Sequence, residues 1–328
     1  MPELMDPSEL GARVAGGDRR ALAKAITLVE SDLSTDQIDA QRLLGALPAT
    51  REVLRLGIAG APGVGKSTLI DALGQLLVDT GRRPAVVAYD PSGRSGGSVL
   101  GDKTRMGRLA HTEAAFVRPS SNRRVSGGVG RRALDVVRLC EAAGYDPIII
   151  ETVGIGQSEL GITDLVDLLL VIVLPHAGDE IQAIKKGLLE HADGVLVNKA
   201  DAERRAGAEL AARQYQGALT LLQGRRGEPP VFVQTVSALE GTGIPELWAT
   251  LEQRFSEALV SGRLDAERAE RLKRWFGVEI GRELERRVLG RPDLVALKQR
   301  LEADLVARRL GIGEALDRLM AQAFPDEP

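Results

Sequence analysis

The stretch LRLGIAGAPGVGKSTLIDALGQLLVDT, residues 54–80, decides the fold. It passes from an aliphatic strand pattern (LRLGIA) through a glycine-rich turn into a helical pattern (STLIDALGQLLVDT), and the turn fits G-x-x-x-x-G-K-[ST]. Glycines let such a loop take positive φ and turn its N–H groups inward, while the helix N-terminus adds partial positive charge. Gly60, Ala61, Pro62, Gly63, Val64, Gly65, Lys66, Ser67 and Thr68 are therefore expected to cradle the phosphates of a nucleoside triphosphate. In that arrangement Lys66 reaches the β and γ phosphates, and the Ser67 hydroxyl ligates Mg²⁺.

Outward from this turn, the aliphatic runs VLRLGIAG, PAVVAYD, AAFVRP, PIIIET, LLLVIVLP, GVLVNKAD and PVFVQTVSA follow one another, most of them separated by segments able to form helices. Strands alternating with helices imply βαβ units, so residues 51–260 are expected to form an α/β P-loop NTPase domain with a mostly parallel central sheet. Aromatic residues make up only 3% of the chain, so Leu, Val, Ile and Ala must build the core, which suits helices packed on a parallel sheet. Residues 1–50 read as an N-terminal helical extension. Leu10, Val14, Ala21, Ala25, Leu28 and Val29 stand at helical spacing, and a second stretch runs through Ile38, Leu43 and Leu44. Residues 261–328 read as helical throughout. Leu272, Trp275, Phe276, Ile280, Leu284 and Val288 mark one helix, punctuated by Gly290 and Pro292. Leu294, Leu297, Leu301, Leu305 and Leu310 mark a second, and GIGEALDRLM a third. Such a hairpin can pack on its own chain or against a second copy.

Composition narrows the class of function. With 43 basic and 46 acidic residues in 328, a net charge of −3 gives no bulk signal for nucleic acid or an anionic membrane. The single cysteine, Cys140, cannot form an internal disulfide. The N-terminus MPELMDPSELG lacks the apolar segment of a signal peptide, and the longest apolar run, LLLVIVL, is too short to span a bilayer. A cytoplasmic protein is expected.

The base is read from VNKAD, residues 197–201. A carboxylate at Asp201 accepts from both N1–H and the 2-amino group of guanine, and adenine offers neither donor in those places. Asn198 is expected to brace the pocket, and the stem of Lys199 to lie along the purine. In TVSALEG, Ser237 fixes a turn whose Ala238 N–H serves the 6-oxo group, with Leu239 completing the motif. GTP and GDP are the expected nucleotides. The run DPIIIETVGIGQSE, residues 146–159, drives three isoleucines into Glu151, a charge that needs a partner if buried. The expectation is that Glu151 faces Mg²⁺ through a coordinated water, with Gly154 offering its N–H to the γ-phosphate. Asp90, closing the strand AVVAY, is a second acidic candidate for the metal, and Gln157 a candidate for orienting water.

The segments GAPGVGKST, DPSGRSGGSVLGDKTRM, SGGVGRR, LCEAAGYDPIIIETVGIGQSE, LPHAGDEIQAIKKG, NKAD and SALEGTGIPELW together resemble the MeaB/ArgK family, the P-loop GTPases associated with methylmalonyl-CoA mutase and its relatives. The resemblance implies a GTP-hydrolysing chaperone that gates adenosylcobalamin loading of an acyl-CoA mutase and protects that mutase. It also implies a C-terminal arm that makes a homodimer. Asp90, Asp102 and Glu151 match the family's acidic residues around the metal and the attacking water, and residues 176–187 match a segment that relays nucleotide state. Two departures stand out: the loop from Asp90 to Asp102 is one residue shorter than the usual family form, and His176 replaces a glycine. Catalysis is expected to fall to Lys66, Asp102, Glu151 and Gln157, slow alone and accelerated by the mutase. No cobalamin is expected on this chain, since no D-x-H-x-x-G motif occurs in it. Rival readings are a kinase of the ArgK type, a metal-inserting GTPase, which three histidines and one cysteine serve poorly, and a GTP-dependent scaffold with negligible turnover.

Overall fold

A computed structural model describes residues 6–49, 52–89, 106–118, 129–152, 160–175, 186–223 and 229–325. The chain divides into two compact units, Met1–Arg271 and Leu272–Pro328. In the first, each aliphatic run becomes a strand: β1 (Arg55–Gly60), β2 (Ala85–Tyr89), β3 (Phe116–Arg118), β4 (Ile148–Thr152), β5 (Leu168–Val173), β6 (Gly194–Val197) and β7 (Phe232–Thr235). They form one sheet in the order β3-β2-β4-β1-β5-β6-β7, with every neighbouring pair parallel. A parallel sheet is covered on both faces, so its strands are aliphatic throughout rather than alternating. In β5 every position is buried.

The helices of this unit are α1 (Pro7–Ala15), α2 (Arg19–Val29), α3 (Ser34–Gly45), α4 (Lys66–Asp79), α5 (Val129–Ala142), α6 (Leu160–Thr163), α7 (Lys186–Glu190), α8 (Arg205–Gln223), α9 (Ile244–Val260) and the start of α10 (Arg263–Leu289). Helix α4 places Leu69, Ile70, Leu73 and Leu77 in one core with Leu56, Ile58 and Leu170 of the sheet and Leu247 and Leu251 of α9. Cutting any of these leucines back to alanine would cost about 2–5 kcal/mol through lost transfer energy and the cavity left.

The N-terminal extension is three helices. The first break comes at Gly17, with φ 78°, and Asp18, whose carboxylate accepts from the N–H groups of Arg20 (2.8 Å) and Ala21 (3.0 Å). Leu10, Val14, Ala21, Ala25, Val29, Leu43 and Leu44 are buried as their spacing predicts, whereas Ile38 is exposed. These helices border the β3 edge, where Arg118 pairs with Glu30 at 2.6 Å and Arg132 donates to the Glu30 carbonyl at 3.0 Å. Covering an edge strand in this way removes a site of unwanted strand pairing.

At the amino edge of the sheet lies a buried ion cluster. Asp167 accepts from the Arg55 N–H (2.9 Å), from Arg268 through Nε (2.9 Å) and Nη2 (2.6 Å), and from Arg271 Nη1 (3.2 Å). The Arg55 guanidinium in turn pairs with Glu141 at 2.6 Å. Burial pushes the Asp167 carboxyl up to about 6, against the N–H of Arg55 and the guanidiniums that pull it down. Cys140 is buried too, which raises its thiol to about 12 and keeps it protonated and unreactive.

In the second unit, α10 runs on to Leu289, and α11 (Pro292–Val306) packs against α12 (Ile312–Ala323). Leu294, Leu301, Ala315 and Ala323 are buried. Arg291 holds the hairpin by donating to the Ala323 carbonyl at 3.2 Å. Helix α11 stops earlier than the leucine spacing predicts. The chain turns at Arg308, with φ 55°, so Leu310 lies in the bend and not in a helix. Among the described residues no helix is long and apolar enough to cross a membrane.

The cluster around Asp167 makes a stability prediction. Replacing Arg268 by Ala leaves a buried carboxylate with one guanidinium fewer, and is expected to cost about 3 kcal/mol or more in urea unfolding at neutral pH. A carboxyl whose folded pKa lies above its ordinary value of 3.8 takes up a proton on folding as pH falls below 6. The cost of Arg268→Ala should therefore shrink at pH 5, and a cost independent of pH would contradict this reading.

Candidate nucleotide site

Because the strands run parallel, the segments that follow β1, β4, β6 and β7 all leave at the same edge. The order places β4 and β5 on either side of β1, with β6 beyond β5 and β7 beyond β6. Open parallel sheets bind ligands at this carboxyl edge, where successive connections depart to opposite sides.

The turn between β1 and α4 is shaped by close approaches. Gly65, at φ 98°, precedes the first residue of α4, and a Cβ there would lie 2.4 Å from the Asn198 Nδ2. Gly60, at φ 151°, would bring a Cβ within 2.5 Å of the Ile172 carbonyl oxygen. Both positions exclude any side chain. Val64 is buried and anchors the turn, Ala61 is half-buried, and Pro62, Gly63 and Thr68 are exposed. The Lys66 ammonium folds over the loop and donates to the carbonyls of Gly60 (2.8 Å) and Ala61 (3.2 Å). Phosphate oxygens are better acceptors for it than carbonyls, because that hydrogen bond is charge-assisted on both sides.

Glu151 stands in register with Ile58 and Ala88 and is 3% exposed. Its Oε1 accepts from the Ser67 hydroxyl at 3.0 Å, so the carboxylate beyond the three isoleucines meets the first turn of α4. A hydroxyl and a carboxylate side by side are the oxygen donors that a hard divalent cation takes. The residues present therefore fit Mg²⁺ beside a triphosphate.

Asn198 follows β6 and is 1% exposed. Its Nδ2 donates to the Val64 carbonyl (2.8 Å), and its Oδ1 accepts from the Ala238 N–H (3.2 Å). One amide thus ties the phosphate turn to the turn after β7. Lys199 takes the left-handed conformation, φ 59°, and Asp201 accepts from the Ser237 hydroxyl at 2.6 Å. Ser237 is fully buried and Leu239 is 80% exposed, so the S-A-L turn presents its leucine outward. The structure brings together Lys66, Ser67, Glu151, Asn198, Lys199, Asp201, Ser237 and Ala238 on one edge. Asp90, Asp102, Gly154 and Gln157, with residues 176–185, lie outside the described residues.

Two neighbours escaped the sequence reading. Asp71, one turn after Ser67 on α4, accepts from the Leu109 N–H (2.9 Å) and from Arg108 Nε (3.0 Å). This fastens residues 108 and 109, just beyond the GDKTRM stretch, to the helix that carries the phosphate turn. The only available signal was an acid on a helix face otherwise reserved for the core. Glu240, whose carboxylate accepts from the Ala202 N–H at 3.2 Å, gave no signal at all.

A glycine-rich strand-to-helix turn in this position defines a P-loop nucleotide-binding protein of the α/β class. The family described as "Methylmalonyl Co-A mutase-associated GTPase MeaB" matches residues 22–293, and the chain belongs to this family of GTPases. The GTPase ArgK of Escherichia coli is 43% identical over 266 residues, which is 80% of each chain. The mouse protein named "Methylmalonic aciduria type A homolog, mitochondrial" is 39% identical over 320 residues, 94% of this chain and 77% of its own length. The crystal structure of a protein named "LAO/AO transport system kinase" superposes with a TM-score of 0.77 at 34% identity, covering 98% of both chains.

Asn198 generates the test of this geometry. Asn198→Ala strands the Val64 carbonyl and the Ala238 N–H, each buried polar loss being worth about 1–3 kcal/mol. Guanine-nucleotide affinity in equilibrium titration should fall roughly tenfold to a hundredfold. An unchanged affinity would separate the two turns energetically and contradict the bridging role.

Proposed function

We propose that the chain binds GTP and GDP with Mg²⁺ at the carboxyl edge of the sheet and hydrolyses GTP slowly by itself. Hydrolysis is accelerated by a client, an adenosylcobalamin-dependent acyl-CoA mutase, whose cofactor loading the chain gates in the cytoplasm. The observation that supports the nucleotide site in this reading is the Asn198 amide, which joins the phosphate turn to the turn after β7. The family description supports the mutase as partner.

Phosphoryl transfer to water asks little covalent chemistry of the protein, and positioning with charge neutralisation does most of the work. On triphosphate binding, the Lys66 ammonium exchanges the carbonyls of Gly60 and Ala61 for β and γ phosphate oxygens. Ser67 and Glu151, with Asp90 proposed as a further acidic group, would hold Mg²⁺, which would supply further neutralisation of phosphate charge. Asp201 accepts the two guanine donors, and the Ala238 N–H, which donates to Asn198 Oδ1, is proposed to be shared with the 6-oxo group. Asp102 and Gln157 are the proposed groups for placing the attacking water.

The client has room to act, since a cation inserted in trans can be worth about 10³–10⁵ in rate. Phosphate release measured with and without the mutase is expected to be slow alone and to rise at least tenfold with it. Turnover of several per second alone, unchanged by the mutase, would contradict this function. The protein of the similar crystal structure is named a kinase, which motivates a second reading in which the γ-phosphate passes to an acceptor. Labelled γ-phosphate recovered on a protein or small molecule, and not as free phosphate, would establish it.

The C-terminal unit is proposed as a homodimer contact. Leu272, Phe276, Ile280 and Leu284 recur every four residues along α10, and each is exposed in the single chain. Four large apolar side chains left in water along one helix are the usual mark of a protein partner. Phe276→Arg is expected to convert a dimer to a monomer in sedimentation analysis, without loss of nucleotide binding. A wild-type chain that sediments as a monomer at all concentrations would contradict it.

A further inference from the structure

The base-reading residue Asp201 occupies the N-terminal cap of the single helical turn Ala202–Arg204, which leads directly into α8. An aspartate at that position ordinarily folds its carboxylate back over the turn and accepts from its free N–H groups. Asp201 does not: its side chain makes no cap hydrogen bond, and only its carbonyl engages the turn, accepting from the Arg204 N–H at 2.7 Å. The carboxylate swings instead to Ser237, 2.6 Å away.

A carboxylate does reach the turn from elsewhere: Glu240, from the turn after β7. Its Oε1 accepts from the Ala202 N–H at 3.2 Å, the N–H directly after Asp201, and so sets a negative charge at the positive start of the turn. The same residue's backbone N–H donates to Ser237 Oγ at 3.0 Å. With that lone pair taken, the Ser237 hydroxyl proton is directed at Asp201 Oδ1. The bonds close a ring: Glu240 to Ala202, Ala202 by the chain to Asp201, Asp201 to Ser237, and Ser237 back to Glu240.

We propose that Glu240 is a positioning residue for guanine recognition: by supplying a carboxylate at the start of the Ala202 turn and binding Ser237 through its own N–H, it keeps the Asp201 carboxylate turned toward the base. This rests on the reading of Asp201 as the acceptor of N1–H and the 2-amino group. Without the Glu240 carboxylate, Asp201 is left as the carboxylate at the positive start of its own turn, is drawn toward it, and loses a fixed orientation. Guanine suffers more than hypoxanthine, because it offers Asp201 two donors where hypoxanthine offers one.

The test measures dissociation constants for GDP and IDP by calorimetry on the full chain and on Glu240→Ala, Glu240→Gln and Asp201→Asn. For Glu240→Ala, GDP binding should weaken about fivefold, the usual scale of a lost cap, IDP binding should weaken less, and the GDP preference over IDP should narrow. Glu240→Gln keeps an acceptor oxygen and should recover most of the preference, which loss of charge alone would not allow. A GDP preference unchanged in Glu240→Ala, with Asp201→Asn abolishing it, overturns the proposal while leaving the base pocket intact, even if the melting temperature falls. A preference unchanged in Asp201→Asn overturns the base pocket and this inference together.

Discussion

A single buried amide holds the two halves of the site at a fixed separation. Asn198 spans from the Val64 carbonyl to the Ala238 N–H, and buried polar groups of this kind need such a partner. The span exists only because position 65 lacks a side chain, since a Cβ there would meet the Asn198 amide nitrogen at 2.4 Å. The glycine pattern of the phosphate turn and the asparagine of N-K-A-D are thus one steric requirement, though 133 positions separate Gly65 from Asn198. Anything that repositions the phosphate turn must move or break this amide, which gives the site a direct path between phosphate and base.

The sheet divides its polar groups by edge. Its amino edge holds ions already paired: Asp167 with Arg268 and Arg271, and Arg55 with Glu141. Its carboxyl edge holds groups engaged with one another in ways a ligand can replace, such as Lys66 on two carbonyls and Ser67 on Glu151. Paired buried ions contribute little net stability but penalise alternatives that separate them. The amino edge fixes the register of β1 and β5, and the opposite edge inherits the alignment that binding needs.

The architecture was legible because its strongest signals are local. Seven aliphatic runs became seven strands, and the G-x-x-x-x-G-K-S turn stands where a strand meets a helix. The errors came where tertiary packing or a cap overrides spacing. Ile38 keeps helical periodicity yet faces water, and Leu310 continues a leucine repeat past the point where Arg308 has already turned the chain. The first break in the N-terminal extension was signalled by Gly16, Gly17 and Asp18, a turn and a cap that periodicity alone passes over. Within the site, Ser67, Asn198 and Asp201 could be named from motifs, but Asp71 and Glu240 could not. Their partners, Leu109 and Ala202, lie 38 residues away in each case, and the bonds involve backbone N–H groups that sequence does not reveal.

The chain belongs to a family of GTPases, and the proposed reader of guanine is Asp201, whose carboxylate accepts from the Ser237 hydroxyl. The most direct test is a calorimetric titration of the full chain with GDP and with ADP in the presence of Mg²⁺. A site whose half-buried carboxylate pairs with guanine donors predicts one GDP per chain and ADP weaker by about a thousandfold or more. Comparable affinities for the two nucleotides would leave the phosphate turn standing but contradict the single guanine site on which the account rests.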